Sequence, residues 1–270
     1  MKLKAIMPSS CEELARGQLP SRQASLRQHT EVWLITPSEC SPTAETEYDR
    51  LVAAPIVFSA AIKAEDEGFD AVTIDCTMDP GLKASRETAR IPVVGAGEAA
   101  LAISLLFGDR FSVIMARPEG RAPMVAKIRE MGLTERLASV RSADMHVLDL
   151  HDDDRTLHAV EEAARRAVVE DGANVIVLGC TAMGRIASSL AERVGVPVIE
   201  PGTAALKLAE AFAAPGWWPA LAPKLRQCRQ TNPSHVTMTG VDVEGIRQGE
   251  LTSDSVSRCS SASSSREPSP

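Results

Sequence analysis

An internal repeat restricts the fold of this chain more than any other feature of its sequence. Segment 69–77 is similar to segment 173–181, and each is an aliphatic run that ends in Cys-Thr. The two cysteines, Cys76 and Cys180, are 104 residues apart. Short aliphatic runs are typical of strands that are buried on both faces of a parallel sheet.

A second match follows the first at nearly the same offset. Segment 91–101 aligns with segment 196–206, 105 residues further on, and six of the eleven positions are identical. One such match can arise by chance between alanine-rich helices. Two matches in the same order and at one offset predict two duplicated lobes.

Strand-like and helix-like segments alternate along the chain, which predicts an α/β fold with parallel sheets covered by helices. The predicted strands are Leu3–Met7, Glu31–Ile35, Ala71–Asp75, Ile91–Val94, Phe111–Met115, Val140–Leu148, Val175–Leu178 and Val196–Ile199. The predicted helices are Val52–Glu67, Glu98–Leu106, Met124–Met131, Leu157–Asp171, Ala182–Val194 and Thr203–Phe212.

The repeat also predicts how the chain divides into lobes. Residues 1–97 together with about 203–225 are expected to form the first lobe, and residues 98–202 the second. Residues 248–270 are rich in Ser, Arg and Pro, and we predict a disordered tail there because such a sequence buries little apolar area.

Charge and composition exclude several classes of function. The net charge is −7, and no basic cluster is visible, which argues against nucleic acid as a partner. No apolar stretch has the length of a signal peptide core or a membrane span, so we expect a cytoplasmic protein with no membrane contact.

No cofactor or metal is predicted. The six cysteines lack CxxC pairs and histidine partners at metal-ligand spacing, so we expect free thiols and no metal site. No lysine motif typical of pyridoxal phosphate enzymes is visible. The Gly95-Ala-Gly97-Glu-Ala-Ala100 turn imitates a dinucleotide fingerprint, but the next strand ends in Met115-Ala116-Arg117 without the required acid.

The placement of the two cysteines indicates acid–base chemistry. The carboxyl ends of parallel strands form the ligand crevice of such folds, so two facing lobes would place Cys76 and Cys180 across one cleft. A following helix N-terminus is expected to lower the pKa of each thiol. One thiolate could then remove a proton from a carbon next to a carbonyl, and the opposite thiol could return one to the other face.

A simpler interpretation treats each cysteine as a small apolar core residue. We favour that interpretation for Cys11, Cys40, Cys228 and Cys259. It is less satisfactory for two cysteines at equivalent strand ends of a repeat, each followed by threonine.

The motifs around both cysteines resemble the aspartate/glutamate/hydantoin racemase superfamily, and especially its hydantoin and allantoin racemase branch. In the first half they are Asp75–Leu82, Arg86-Glu87, and Pro92–Gly95 with Glu98-Ala99; in the second half they are Leu178–Thr181 and Val196–Ile199. The similarity covers about residues 1–213. It implies two pseudo-symmetric lobes, each a four-stranded parallel sheet flanked by helices, with the active site between them and a homo-oligomeric assembly.

The resemblance implies a cofactor-independent racemase or epimerase that acts on a 5-substituted hydantoin or a related α-carbon acid. Cys76 and Cys180 would be the catalytic acid/bases. The candidate substrate-binding residues are Thr77, Thr181, Pro8, Ser9, Ser10, Met78 and Arg117. For Ser9 and Ser10, capping of the following helix is an equal alternative, and for Arg117 so is a solvent-facing role.

One departure from the family pattern concerns the substrate. The first strand of family members commonly ends in Asn-Pro-Asn, whereas here Met7 and Ser9 flank Pro8. This change removes hydrogen-bonding groups and adds apolar surface, which suggests a substrate with a larger apolar group. Maleate isomerase-like chemistry, a decarboxylase of the same superfamily, and a non-catalytic protein that binds a small carboxylate or ureide remain the alternatives.

Overall fold

The computed structural model describes residues 1–214 and Gly245–Ile246, and its described part contains nine β-strands and eight α-helices. The strands are β1 (Lys2–Ile6), β2 (Glu31–Ile35), β3 (Ala71–Ile74), β4 (Val93–Gly95), β5 (Phe111–Met115), β6 (Leu137–Ser142), β7 (Val175–Leu178), β8 (Val198–Ile199) and β9 (Gly245–Ile246). The helices are α1 (Glu12–Ser25), α2 (Glu47–Asp66), α3 (Leu82–Thr88), α4 (Ala96–Ser104), α5 (Arg121–Glu130), α6 (Asp153–Val169), α7 (Ala187–Val194) and α8 (Pro201–Ala213).

The strands form two sheets with equivalent topology. The first has the order β4-β3-β1-β2-β9, and the second has the order β6-β5-β7-β8. Within each lobe the four parallel strands therefore run second-first-third-fourth in chain order, which confirms the predicted pair of pseudo-symmetric four-stranded lobes. The short β9 adds an antiparallel edge to β2 that the sequence did not indicate.

Three central strands are buried on both faces. All residues of β3, β5 and β7 are buried. Such strands cannot face water on either side, so helices must cover both faces of each sheet. This requirement explains why the aliphatic runs of the repeat, β3 and β7, are interior strands of the two sheets.

Two helices join the lobes into one core. Helix α4 follows β4 of the first sheet but packs against β7 and β8 of the second. Helix α8 follows β8 of the second sheet but packs against β3, β4 and β1 of the first, and it also packs against α4. One hydrophobic cluster consequently contains residues of both lobes, which fixes the two sheets relative to each other.

Helices α1 and α3 were not among the predicted helices, and most of the other predicted elements differ from the observed ones in at least one bound. Helix α1 contains Gly17 and Pro20, two poor helix formers, which weakens its signal. Strand β6 ends at Ser142 because Asp144 has a φ of 54°, which is not an extended conformation. The predicted helix 182–194 begins instead as a 3-10 helix over Thr181–Ile186.

The predicted division into residues 1–97 with about 203–225, and residues 98–202, stays a prediction. The part of the first lobe's range after residue 214 and the predicted tail 248–270 lie outside the described residues. Among the residues that are described, none of the helices has the length and apolar character needed to cross a membrane.

Candidate active site

One cavity of about 80 Å³ lies where the carboxyl ends of the central strands of both sheets meet. Residues that follow β1, β3, β5 and β7 all contribute to its wall. Of the nine predicted site residues, eight line this cavity: Pro8, Ser9, Cys76, Thr77, Met78, Arg117, Cys180 and Thr181. Ser10 is not among the lining residues; its backbone N–H donates to the carbonyl of Ser41.

The two cysteines occupy equivalent positions in the two lobes. Cys76 is the second residue after β3, and Cys180 is the second residue after β7. Both are free thiols that are partly exposed, and both face the same cavity. They are close enough for a charge on Cys76 to raise the pKa of Cys180.

Burial makes both thiols weak acids in the substrate-free protein. It raises the pKa of Cys76 to about 11 and the pKa of Cys180 to about 12. The backbone N–H groups of Met78 and Ala182 act in the opposite direction but do not outweigh burial. The expected lowering of the thiol pKa is therefore wrong. Neither cysteine starts a long helix: a short 3-10 helix follows Cys180, and α3 begins six residues after Cys76.

The threonines that follow the cysteines reach across to the opposite lobe. Thr77 Oγ1 donates to the carbonyl of Gly179 at 2.5 Å, and Thr181 Oγ1 donates to the carbonyl of Asp75 at 3.1 Å. Each hydroxyl thus binds the residue that precedes the other cysteine. Their predicted contact with substrate stays a prediction; while these bonds hold, the hydroxyl oxygens can serve a substrate only as acceptors.

The turn after Cys76 is anchored by a buried carboxylate that the sequence did not single out. Asp79 accepts hydrogen bonds from the backbone N–H groups of Gly97 and Glu98, both at 2.9 Å, and from Lys127 Nζ at 2.5 Å. Since Lys127 lies on α5 of the second lobe, this contact also crosses between the lobes. The signal that could have revealed Asp79 is its place in the Asp-Pro-Gly segment directly after the cysteine motif.

Much of the cavity wall is apolar. Met7, Leu14, Met78, Met115 and Val147 all contribute to the lining. Three of these five are methionines, whose flexible side chains adapt to irregular apolar groups. The apolar surface expected from Met7 at the end of the first strand therefore lies in the cavity.

Charged groups at one side of the cavity neutralise each other. Arg117 Nε lies 3.6 Å from Glu45 Oε2, and Arg117 Nη2 lies 3.0 Å from Glu119 Oε1. Glu45, a lining residue from the loop before α2, was missed because no motif marks that loop. A contact between Arg117 and a substrate stays a prediction, and two protein carboxylates already compete for this guanidinium.

Ser9 organises the backbone next to the cavity. Its hydroxyl donates to the carbonyl of Pro42 at 2.5 Å and accepts from the N–H of Cys11 at 3.1 Å. The second bond satisfies a donor at the start of α1, which is close to the predicted capping role. Ser9 also ties the end of β1 to the loop that contains Glu45.

Comparisons with known proteins place the chain in a family. The Asp/Glu/hydantoin racemase family model matches residues 4–209. A hydantoin racemase from Paenarthrobacter aurescens is 35% identical over 219 residues, which are 80% of this chain and 93% of that protein. A hydantoin racemase from Pseudomonas sp. (strain NS671) is 33% identical over 211 residues, 78% of this chain and 85% of the relative.

A solved structure agrees with this assignment. Allantoin racemase from Klebsiella pneumoniae superimposes with a TM-score of 0.78 at 30% identity, covering 81% of this chain and 90% of that chain. The chain belongs to the Asp/Glu/hydantoin racemase family. It is an isomerase of the racemase class, as the resemblance of its cysteine motifs implied.

Proposed function

We propose that this racemase inverts a 5-substituted hydantoin or a related α-carbon acid without a cofactor, using Cys76 and Cys180 as its two acid/bases. The observation that supports this most directly is the equivalent placement of the two thiols in one cavity. They follow the third strand of each lobe at the same distance and line the same cavity, which supports a reaction in which they act on opposite faces of the substrate.

The proposed reaction consists of two proton transfers. One thiolate removes the proton from the carbon next to the carbonyl, and the opposite thiol donates its proton to the other face. The raised pKa values reduce the thiolate fraction but increase the basicity of each thiolate that forms, which suits a weakly acidic C–H bond. The N–H groups of Met78 and Ala182 favour the thiolate form.

The substrate class follows from the cavity wall and from the relatives. The relatives named above are hydantoin and allantoin racemases. The methionine-rich wall suits an apolar substituent at C5, whereas the paired Arg117 offers no unshared positive charge to a carboxylate. We therefore propose an uncharged ring substrate with an apolar side chain. A cytoplasmic location and a homo-oligomeric state remain predictions.

Proton exchange in heavy water tests this proposal. Single enantiomers of several 5-substituted hydantoins are incubated with the protein, and NMR of the α-proton is recorded together with optical rotation. We expect exchange accompanied by loss of rotation, and loss of racemisation in both Cys76→Ala and Cys180→Ala. Cys259→Ala, outside both matched segments of the repeat, is the control and should keep full activity.

Full activity in either of the two cysteine variants would overturn the two-cysteine mechanism. A stable covalent adduct on Cys76 would instead indicate isomerase chemistry of the maleate type. Exchange without loss of rotation would show that proton removal and return occur on one face only.

A further inference from the structure

One buried arginine, Arg22, contacts both cysteine turns. Arg22 lies on α1, and its side chain is only 1% exposed. An unpaired charge at this depth is strongly unfavourable, so its contacts must compensate for the loss of hydration. Four acceptors surround the guanidinium, and they come from both lobes.

Two of these acceptors are next to the cysteines in sequence. Arg22 Nη2 lies 3.3 Å from Oδ1 of Asp75, which precedes Cys76, and 3.2 Å from the carbonyl oxygen of Thr181, which follows Cys180. A guanidinium has a rigid planar arrangement of donors. One rigid group therefore binds the backbone or side chain adjacent to both thiols.

The other two acceptors fix the guanidinium itself. Arg22 Nη2 donates to Gln18 Oε1 at 2.7 Å, and Arg22 Nη1 donates to Glu200 Oε2 at 2.5 Å. Glu200 in turn accepts from the backbone N–H groups of Gly202 at 2.8 Å and Thr203 at 2.6 Å, at the start of α8. The arginine is thus attached to α1 on one side and to α8 on the other.

Two glycines leave the space that the guanidinium occupies. A Cβ atom on Gly202 would lie 2.2 Å from the Arg22 guanidinium, and one on Gly184 would lie 3.2 Å from Nη1. Any larger residue at position 202 would displace the arginine. The Gly202 position of the repeat is therefore explained by packing against Arg22.

The positive charge of Arg22 is a second reason why an arginine is needed at this position. Asp75 is 3% exposed, and its Oδ2 has no hydrogen-bond partner among the described residues. Burial raises the pKa of Asp75, the positive charge of Arg22 lowers it, and the negative charge of Glu200 raises it. The nearby Thr181 hydroxyl also lowers this pKa, although its hydrogen goes to the Asp75 carbonyl. Without Arg22, the buried Asp75 carboxylate and the partly buried Glu200 carboxylate would repel each other with no positive charge between them.

We propose that Arg22 is a positioning residue for both catalytic cysteines, holding Asp75 and the Thr181 carbonyl on one guanidinium so that the two thiols stay opposed. This inference rests on the proposed two-cysteine function. Arg22 does not line the cavity, whereas Asp75, Gln18 and Thr181 lie between it and the substrate space. Its effect on the reaction is therefore indirect.

The test compares Arg22→Met and Arg22→Lys with Arg16→Met. Arg16 lies on the same helix, with its ion pair to the exposed Glu12, so its replacement controls for the loss of an arginine from α1. We expect Arg22→Met to lower kcat roughly 100-fold with little change in KM, because small displacements of reacting groups cost about this much. Arg22→Lys should lose less, since an ammonium keeps the charge but cannot bind all four acceptors.

A pH profile separates positioning from a general loss of structure. The groups that face Asp75 are Arg22 from α1, Glu200 after β8, Thr181, and the thiols of Cys76 and Cys180. In Arg22→Met, burial favours the neutral form of Asp75. As the pH rises, Asp75 ionises and its charge is repelled by that of Glu200, which should reduce kcat on the alkaline side. Arg22→Met combined with Asp75→Asn should regain part of that alkaline activity.

The proposal would be overturned if folded Arg22→Met had the wild-type kcat. It would also be overturned if Arg22→Met had a lower kcat with an unchanged pH profile and the added Asp75→Asn substitution restored none of the activity. Circular dichroism and urea unfolding establish which variants are folded. If Arg22→Met does not fold, the kinetics of Arg22→Lys decide on the proposal instead. Full activity of Cys76→Ala or Cys180→Ala would refute the proposed function itself. Loss of activity in those variants, with wild-type behaviour in Arg22→Met, would refute only the role of Arg22.

Discussion

Thr77 donates a hydrogen bond across the lobe boundary to the carbonyl of Gly179, the residue before Cys180. Thr181 makes the equivalent bond to the carbonyl of Asp75, the residue before Cys76. Both threonines are buried. The duplicated Cys-Thr motif thus forms a reciprocal pair of contacts in which each lobe holds the cysteine strand of the other.

Replacing Thr77 with valine should reduce both stability and activity. Valine keeps the branched shape but leaves the buried Gly179 carbonyl without its donor, which costs about 1–3 kcal/mol. We expect a lower urea midpoint and a lower kcat, because the strand end that carries Cys180 loses its tie. Thr88→Val is the control, since the Thr88 hydroxyl binds only carbonyls within its own helix. Equal changes in the two variants would contradict a special role for Thr77.

The repeat makes much of this architecture predictable from the sequence. Buried aliphatic strands carry a strong local signal, so the amino-acid pattern alone locates β3 and β7 and the cysteines that follow them. Duplication then predicts that Cys76 and Cys180 share a cleft. Both line one cavity, as expected.

Residues that act across the lobe boundary could not be found in this way. Arg22 and Lys127 lie far in sequence from Asp75 and Asp79, and nothing in a local pattern indicates which buried charge meets which partner. The prediction of low thiol pKa values is wrong for a related reason. The effect of a turn or helix terminus can be inferred locally, whereas the stronger effect of burial depends on the packing of both lobes.

The raised thiol pKa values predict a steep pH dependence. With a pKa of about 11 for Cys76, the thiolate fraction rises about ten-fold per pH unit between pH 7 and 10. We therefore expect kcat/KM to increase over this range without a plateau, since this ratio reports the free enzyme. Folding stability should decline above pH 9, because the folded state retains thiol protons that the unfolded chain releases.

Steady-state kinetics and alkylation by iodoacetamide measure the same ionisation independently. Peptide mass spectrometry assigns the alkylation rate to Cys76 or Cys180, and the alanine variants serve as blanks. A plateau of both rates below pH 9 would show that the free thiols titrate near their ordinary pKa.

The buried pair of Asp79 and Lys127 should matter more than an exposed pair nearby. Asp79 is 6% exposed, and Lys127→Met would leave its carboxylate without a counter-charge, which costs about 3–5 kcal/mol in comparable cases. Lys83→Met removes an exposed ion pair with Glu130 and should cost much less stability, because solvent screens such a pair. Lys127→Met should also slow alkylation of Cys76, because the charge of Lys127 lowers the pKa of that thiol. Urea unfolding measures the free energy of unfolding of both variants. Similar losses in Lys127→Met and Lys83→Met would contradict the prediction.

Gly95 at the end of β4 and Gly97 at the start of α4 should tolerate no side chain, for a reason unrelated to nucleotide binding. A Cβ on Gly97 would lie 1.8 Å from the carbonyl oxygen of Thr77, and one on Gly95 would lie 2.5 Å from the Asp79 carboxyl carbon. Both glycines therefore make room for the turn that carries Cys76. The dinucleotide-like spacing follows from this packing.

Gly97→Ala should accordingly destabilise the protein by about 3 kcal/mol, the upper part of the range for overpacking, and should lower kcat by displacing the Cys76 turn. Gly17→Ala is the matched control. There the nearest atom is the terminal Nη1 of Arg185 at 2.5 Å, which can move, and alanine is favoured over glycine inside α1 by about 1 kcal/mol. Urea unfolding and steady-state kinetics of the two variants give the comparison. If Gly97→Ala were as stable and active as Gly17→Ala, α4 could shift away from the Cys76 turn at little cost, and the tight contact would not be what fixes the first cysteine.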